Sequence, residues 1–162
     1  MGTRSRIAVM HGNVCKSVYC HYDGYLEHNG EILQKHYDSS KANQLVALGD
    51  LSSLHPEIGE AHPFSPFDLP PELEGMTLNE YHDRYSNMCT FYGRDRGETD
   101  TGWRVAHTFE EFLEQCDASG AEYYYVMKND VWYVGTTYDN YHSLSKRLVP
   151  LAEALNSTKE TA

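Results

Sequence analysis

Two pairs of strand-like runs, one near each end of the chain, constrain the fold more than any other feature. In "RSRIAVM" and "KSVYCHY" side chains alternate between two faces, and the intervening "HGN" is a Gly/Asn turn. In "AEYYYVMKNDVWYVGTTY" two runs rich in β-branched and aromatic residues flank "KND", which tolerates positive φ. Each segment therefore predicts a β-hairpin, one early and one late in the chain.

Helical patterns lie between and after the hairpins. Apolar residues recur at helical spacing in "EHNGEILQKHY" and in "KANQLVALGD", for which Ser39 or Ser40 is the predicted N-cap. Thr108 is the predicted N-cap of a third helix, and Gly120 is predicted to end it. In the C-terminal "SLSKRLVPLAEALN", Pro150 either kinks a helix or begins a new one.

These elements predict one α+β domain over residues 1–156. Its mostly antiparallel sheet is built from the N- and C-terminal hairpins, with helices packed on one face. Residues 51–75 contain five prolines, which predicts a long loop because proline forbids a long helix or a central strand. Residues 157–162 are predicted to be a frayed tail.

The charge balance excludes some classes of function. The chain has 13 Lys+Arg against 24 Asp+Glu, a formal net charge of -11. Non-specific binding to nucleic acid or to acidic membranes needs a positive surface, so neither is expected. The acidity is typical of a soluble protein, and it also leaves open mimicry of DNA. With no leader or membrane-length apolar run visible, a cytoplasmic protein with reduced thiols is expected.

Cys15, Cys20 and His21 raise the question of a metal site. Zinc ligands are usually paired more closely than the two cysteines are, and adjacent strand residues face opposite sides of a sheet. We therefore predict buried thiols, no metal and no cofactor. The sequence also lacks the common nucleophile and phosphate-loop motifs. A small hydrolase that uses His21 and Asp23 remains an alternative to a non-enzymatic binding protein, which is favoured.

Arginines, scarce in this chain, cluster in two segments. Arg4 and Arg6 alternate in the first strand, and "FYGRDRGE" repeats that spacing shortly before Trp103. Because guanidinium groups bind phosphate oxygens and aromatic rings stack on bases, we predict a groove for a nucleotide-like ligand. The alternative is that each arginine pairs with a nearby carboxylate. The predicted ligand-binding residues are Arg4, Arg6, Tyr19, His21, Asp23, Tyr25, Arg94, Arg96 and Trp103, with Arg94 and Arg96 closing the groove.

The segments "TRSRI", "SVYCHYDGY", "NGEILQKHY", "LGDLSSL" and "FYGRDRGE" resemble a family of small, poorly characterised proteins of tailed bacteriophages, over about residues 3–60 and 88–135. This resemblance implies an accessory, anti-defence protein that acts inside the infected bacterial host. It implies sequestration, without cleavage, of a nucleotide-derived immune signal. Occlusion of a host defence protein, as a DNA mimic or a direct inhibitor, is the alternative. Tyrosine-rich hairpins with exposed edges also favour a homodimer or higher oligomer.

Overall fold

The protein folds around a mixed β-sheet that carries helices on both faces. A computed structural model describes residues 3–59, 87–137, 144 and 146–160. The strands are β1 (Ser5–His11), β2 (Val14–Cys20), β3 (Leu51–Ser53), β4 (Thr90–Phe91), β5 (Arg104–Ala106), β6 (Tyr123–Lys128), β7 (Val131–Thr136) and β8 (Val149–Pro150). The helices are α1 (Glu31–His36), α2 (Ser39–Ala47), α3 (Phe109–Ser119) and α4 (Leu151–Glu160), and a π-helical turn over Leu26–Gly30 runs directly into α1.

Both predicted hairpins are confirmed. β1 and β2 pair antiparallel with Arg6 opposite Tyr19, and Gly12 makes their turn with a φ of 62°. β6 and β7 pair antiparallel around Asn129 and Asp130, whose φ angles are 51° and 63°. Two consecutive positive φ angles match the twist of the flanking strands, which is why Asn and Asp are tolerated there.

The strand order corrects one part of the fold prediction. The α+β class is confirmed, but the sheet is mixed rather than mostly antiparallel. The order is β4-β3-β2-β1-β6-β7-β8, with β5 paired to β2, and the β1–β6 and β2–β3 pairs are parallel. The two hairpins lie side by side through β1 and β6. Parallel neighbours need long crossover connections, and the segments that contain the helices supply them.

The helices cover both faces of the sheet, whereas the sequence predicted one covered face. Ile7 packs in a cluster that includes Leu45 of α2 and Leu151 of α4. The next residue, Ala8, packs in a second cluster with Phe112 of α3. Residues 5–10 of β1 are all buried, so this strand is central and both of its faces must be covered. The face covered by α3 is called the α3 face below.

Capping explains where the helices begin and end. Thr108 Oγ1 accepts a hydrogen bond from the Glu111 N–H at 3.1 Å, and Gly120 ends α3 with a φ of 71°, as predicted. The cap of α2 is Asp38 rather than Ser39 or Ser40, because its Oδ1 accepts from the Lys41 N–H at 2.8 Å.

α4 begins directly after Pro150 and continues to residue 160. Residues 60–75 of the predicted proline-rich loop lie outside the described residues.

Candidate functional site

A cavity of about 400 Å³ opens on the α3 face, where β2, β5 and the C-terminal half of α3 meet. The strands contribute side chains from the sheet, the segment after α2 contributes an aspartate, and α3 contributes the opposite wall. The lining residues are Arg6, Tyr19, Asp50, Arg104, Gln115, Ala118 and Ser119. This set is called the α3 cavity. Two of its members are arginines, in a chain with few of them.

Arg6 is the most deeply buried charged residue of the α3 cavity, with only 4% of its surface exposed. Its Nε donates to Ser17 Oγ at 3.0 Å, and its Nη2 donates to the Ser17 carbonyl oxygen at 3.3 Å. No carboxylate among the described residues forms an ion pair with it. Burial lowers the pKa of Arg6, Arg104 acts in the same direction, and Asp50 opposes it. The guanidinium is thus held in place and charged, and its hydrogen-bonding capacity is only partly used by Ser17.

Asp50 joins three segments around the α3 cavity. Its Oδ1 accepts from the Tyr19 N–H at 2.9 Å, while its own N–H donates to the Thr101 carbonyl at 2.7 Å. Its carbonyl oxygen accepts from the Tyr92 N–H at 3.1 Å. Burial raises the pKa of Asp50, and Arg6 and the Tyr19 N–H act against that rise. The carboxylate therefore holds the site together but does not neutralise both arginines.

Arg104 brings the second positive charge from the short strand β5. It stands opposite Ser17 in the β2–β5 register, so its side chain belongs to the α3 face together with that of Ser17. Arg104 is exposed, whereas Arg6 is buried. The two cations differ accordingly: Arg6 is held in place by its hydrogen bonds to Ser17, and Arg104 lies exposed at the mouth of the cavity.

Next to the α3 cavity, Tyr19 and His21 form a hydrogen-bonded pair. The Tyr19 hydroxyl lies 2.7 Å from His21 Nδ1. Burial raises the pKa of Tyr19, so the phenol keeps its proton. Burial, and then the charges of Arg4 and Arg96, lower the pKa of His21, so the imidazole stays neutral near pH 7. The phenol therefore donates and Nδ1 accepts.

The structure brings four of the predicted ligand-binding residues onto the α3 face. Arg6 and Tyr19 line the α3 cavity, and His21 follows Tyr19 on the same side of β2. Arg4 approaches the end of α3, since its Nη1 lies against Gly120. A guanidinium at a helix C-terminus is stabilised by the helix dipole, which is a structural reason for Arg4 to be there.

Arg94 and Arg96, which were predicted to close the groove, are not lining residues of the α3 cavity. Arg94 Nε donates to Asp95 Oδ1 at 3.0 Å, and its Nη2 reaches the Cys89 carbonyl at 3.1 Å. Asp95 in turn accepts from the Phe91 N–H at 2.7 Å, so this pair stabilises its own turn. Arg96 lies over the Tyr92 ring, contacts Ser52 and contributes to the lowered pKa of His21 through its charge.

The other three predicted residues line other parts of the surface. Asp23 forms the predicted turn with a φ of 58°, and its carboxylate hydrogen-bonds Tyr25 and raises the pKa of that phenol. Trp103 is 42% exposed, and the Nζ of Lys16 lies 4.6 Å from the centre of its ring. None of the three is a lining residue of the α3 cavity.

Sequence reasoning did not include Asp50, Arg104 and Gln115 among the site residues. Arg104 directly follows Trp103, which the prediction includes. Gln115 lies three residues after the buried Phe112 and one before the buried Cys116. A polar residue next to the apolar stripe of a helix is the sequence signal that could have identified Gln115 as a site residue. Asp50 directly follows Gly49, and nothing in its local pattern distinguishes it from an ordinary residue after a helix.

Other regions carry weaker candidates. Among the described residues no group of three His, Cys, Asp or Glu is placed to hold a metal ion. A larger cavity, about 980 Å³, lies beside α1, α2 and the β6–β7 turn. Gly59, Trp132 and Pro150 are among its lining residues. In the described part of the chain no helix has the length and apolar character to cross a bilayer.

Comparison with protein-family models, with curated proteins and with solved structures finds no match for this chain. The resemblance to bacteriophage proteins therefore stays a prediction. What the structure defines is an α+β protein with a basic cavity between its sheet and one helix.

Proposed function

We propose that this chain is a binding protein that holds a phosphate-bearing small molecule of nucleotide type in the α3 cavity, without cleaving it. The observation that carries the proposal is Arg6, a buried guanidinium with two hydrogen bonds to Ser17 and no ion pair among the described residues. A buried charge that no direct ion pair compensates is costly. An anion placed against its remaining N–H groups would remove that cost.

The charges around the cavity favour an anion over a cation. Arg6 and Arg104 supply two positive charges, and the partly buried Asp50 supplies one negative charge. This local excess is opposite to the net charge of the whole chain, which is -11. A guanidinium binds phosphate oxygens with two parallel N–H bonds, so phosphate is the anion that this pair recognises best.

The size of the cavity limits the ligand to about one nucleotide unit. Ligand pockets in proteins span roughly 300–1,000 Å³, and the α3 cavity, at about 400 Å³, lies near the lower end. A mononucleotide, open or cyclic, fits this range. Tyr19 provides an aromatic ring in the lining on which a base can stack.

Isothermal calorimetry with inorganic phosphate, AMP and cyclic AMP tests the proposal. We expect binding that weakens about tenfold or more in Arg104→Gln, since a charge-assisted bond is lost. Lys128→Gln is the matched control, because Lys128 is also an exposed cation and lies at the end of β6, outside the cavity lining. Equal affinity in the two variants, or no binding of any of the three ligands, would reject the proposal.

The fate of the ligand separates binding from catalysis. After saturation, the protein is heat-denatured and the released ligand is analysed by mass spectrometry. Intact ligand supports sequestration, and altered ligand indicates an enzyme, for which the neutral His21 is the first residue to replace. In the biological role that the phage resemblance implies, the intact ligand is a host immune signal.

Occlusion of a host protein is the competing role. The observation that favours it is the net charge of -11, which suits a DNA mimic. A pull-down from bacterial lysate that returns DNA-binding proteins, and loses them at high salt, would support mimicry. Sequestration predicts instead that the nucleotide binds in the absence of any partner protein.

A further inference from the structure

The basic wall of the α3 cavity continues along the strand that carries Arg6. Arg4 lies two residues before Arg6, and its carbonyl oxygen accepts from the Glu122 N–H at 2.8 Å, which extends the pairing of β1 with β6 by one residue. Side chains two residues apart in a strand share a face, and their Cα atoms are about 7 Å apart. Arg4 is therefore on the α3 face, one step along the strand from Arg6.

Two contacts place Arg4 and His21 beside the cavity. Nη1 of Arg4 lies 2.9 Å from the position that a Cβ of Gly120 would occupy, and Gly120 directly follows the lining residue Ser119. On the neighbouring strand, His21 Nδ1 lies 2.7 Å from the hydroxyl of Tyr19, which is also a lining residue. Arg4 and His21 are called the Arg4 subsite below.

Both side chains of the Arg4 subsite can reach a ligand. Arg4 is exposed and His21 is half-buried. In the part of the chain that the structure describes, no carboxylate forms an ion pair with Arg4. A guanidinium carries five N–H groups, so an exposed one keeps several of them for a bound anion. Because Tyr19 donates to Nδ1 of the neutral imidazole, the proton of His21 is on Nε2, which makes that nitrogen a donor.

The electrostatic field at the Arg4 subsite favours an anion. Burial, and then the positive charges of Arg4 and Arg96, lower the pKa of His21. The field that opposes a proton on this imidazole attracts a negative group placed beside it. The C-terminal end of α3 contributes about half a negative charge near Arg4, so the two arginines keep this region positive.

We propose that Arg4 and His21 form a second phosphate subsite, so that the ligand is a nucleotide with phosphate groups on opposite sides of its sugar. This inference rests on the proposed function and names the class of ligand. The first phosphate binds Arg6 and Arg104 in the α3 cavity, and the second reaches the Arg4 subsite about 7 Å further along the strands. The two phosphates of ADP share one oxygen and are too close together to occupy both positions.

The dissociation constants of AMP, ADP and adenosine 3′,5′-bisphosphate, measured by isothermal calorimetry, test this inference. The wild-type chain is expected to bind the bisphosphate at least about tenfold more tightly than AMP, since the second phosphate makes a further charge-assisted contact. ADP is expected to gain less affinity than the bisphosphate, because its second phosphate does not span the two subsites.

Arg4→Gln removes the charge of the Arg4 subsite. We expect it to bring the affinity for the bisphosphate to within about threefold of that for AMP, with AMP binding unchanged within about twofold. Arg4→Lys keeps a cation and is expected to retain a preference for the bisphosphate of more than about threefold. Lys128→Gln, outside the cavity lining, is the control and leaves all affinities unchanged. Circular dichroism verifies that each variant is folded.

Four results overturn the inference. They are equal binding of AMP and the bisphosphate by the wild type, ADP binding as tight as that of the bisphosphate, an unchanged preference in Arg4→Gln, and an equal weakening of AMP and the bisphosphate in Arg4→Gln. Each leaves the proposed function standing as long as AMP binding depends on Arg104. If that dependence is absent, or if no ligand binds, the proposed function itself is contradicted and the inference with it.

Discussion

Arg6 and Ser17 lie diagonally across the β1–β2 pair and are joined by two hydrogen bonds, from Nε to Oγ at 3.0 Å and from Nη2 to the carbonyl oxygen at 3.3 Å. Both residues are buried. The pair fixes the guanidinium before any ligand arrives, and preorganisation of this kind lowers the entropy lost on binding.

Replacement of Ser17 by alanine tests the importance of this support. Ser17→Ala leaves the buried Nε of Arg6 without its side-chain acceptor, which we expect to cost roughly 1–3 kcal/mol of unfolding free energy. Urea titration followed by circular dichroism measures this cost. Ser40→Ala, an exposed serine in α2, is the control and is expected to change stability by less than about 0.5 kcal/mol. Similar stabilities for the two variants would show that Ser17 does not support Arg6.

The Tyr19–His21 bond predicts a pKa change. The phenol donates to the neutral imidazole, and a hydrogen bond to the neutral form disfavours protonation. Burial and the charges of Arg4 and Arg96 lower the pKa of His21, and they remain in Tyr19→Phe. Because this variant removes the donor to the neutral imidazole, we expect the pKa of His21 to rise in part. Titration of the His21 ring by NMR measures it. Tyr22→Phe retains a ring 4.5 Å from that of His21 and is expected to leave this pKa unchanged. A fall in the His21 pKa in Tyr19→Phe contradicts the assigned direction of the bond.

Local patterns predicted the elements but not how they assemble. Thr108, Gly120 and the Asn129–Asp130 turn each act on their own neighbours, so their roles follow from a few residues of sequence. The parallel pairing of β1 with β6 joins positions more than 100 residues apart, and no local pattern encodes it. Whether helices cover one face of the sheet or both depends on the same pairing, because β1 becomes buried on both sides only when the sheet is assembled.

Only part of the site was predicted, because local patterns do not encode how distant segments assemble. Arg6 and Tyr19 share a face because they lie opposite each other in one hairpin, which the sequence predicted. Asp50, Arg104 and Gln115 reach the cavity from three distant elements. Arg94 and Arg96 have the same alternating spacing as Arg4 and Arg6. They lie in a turn rather than a strand, where Asp95 engages Arg94 directly, so that spacing does not produce a shared face.

Gly135 is predicted to be essential for packing above the α3 face. A Cβ at this position would lie 2.5 Å from Cε2 of Tyr124, a fully buried ring that meets Phe112 edge-on and donates its hydroxyl proton to the Lys146 carbonyl. Because that ring is held on two sides, Gly135→Ala is expected to cost about 1–3 kcal/mol of unfolding free energy in a urea titration.

Gly102→Ala is the matched control for this substitution. A Cβ at Gly102 would have no heavy atom within 4 Å, apart from its chain neighbours. Its expected change in unfolding free energy is within about 0.5 kcal/mol. If Gly135→Ala is as stable as Gly102→Ala, the packing of Tyr124 against β7 is looser than described.

Asp50 predicts a dependence of stability on pH. Burial raises its pKa in the folded chain, so its contribution to stability is complete below the unfolded pKa and is lost as the pH rises through the folded pKa. Asp50→Asn keeps the acceptor for the Tyr19 N–H and removes the charge. The variant is therefore expected to be more stable than the wild type at neutral pH, with an advantage that shrinks as the pH falls.

Urea titrations between pH 4.5 and pH 8 measure this difference. Asp130→Asn, in the exposed β6–β7 turn, makes the same change in net charge and is the control. A stability advantage for Asp50→Asn that grows toward low pH has the wrong sign and contradicts the account of Asp50.

The most direct measurement of the central claim is a crystal structure of the wild-type chain with AMP. We predict the phosphate in the α3 cavity, with oxygens within hydrogen-bond distance of the guanidinium groups of both Arg6 and Arg104. A phosphate bound elsewhere, for example between Arg4 and Arg96, or an α3 cavity without nucleotide at a saturating concentration, would contradict it.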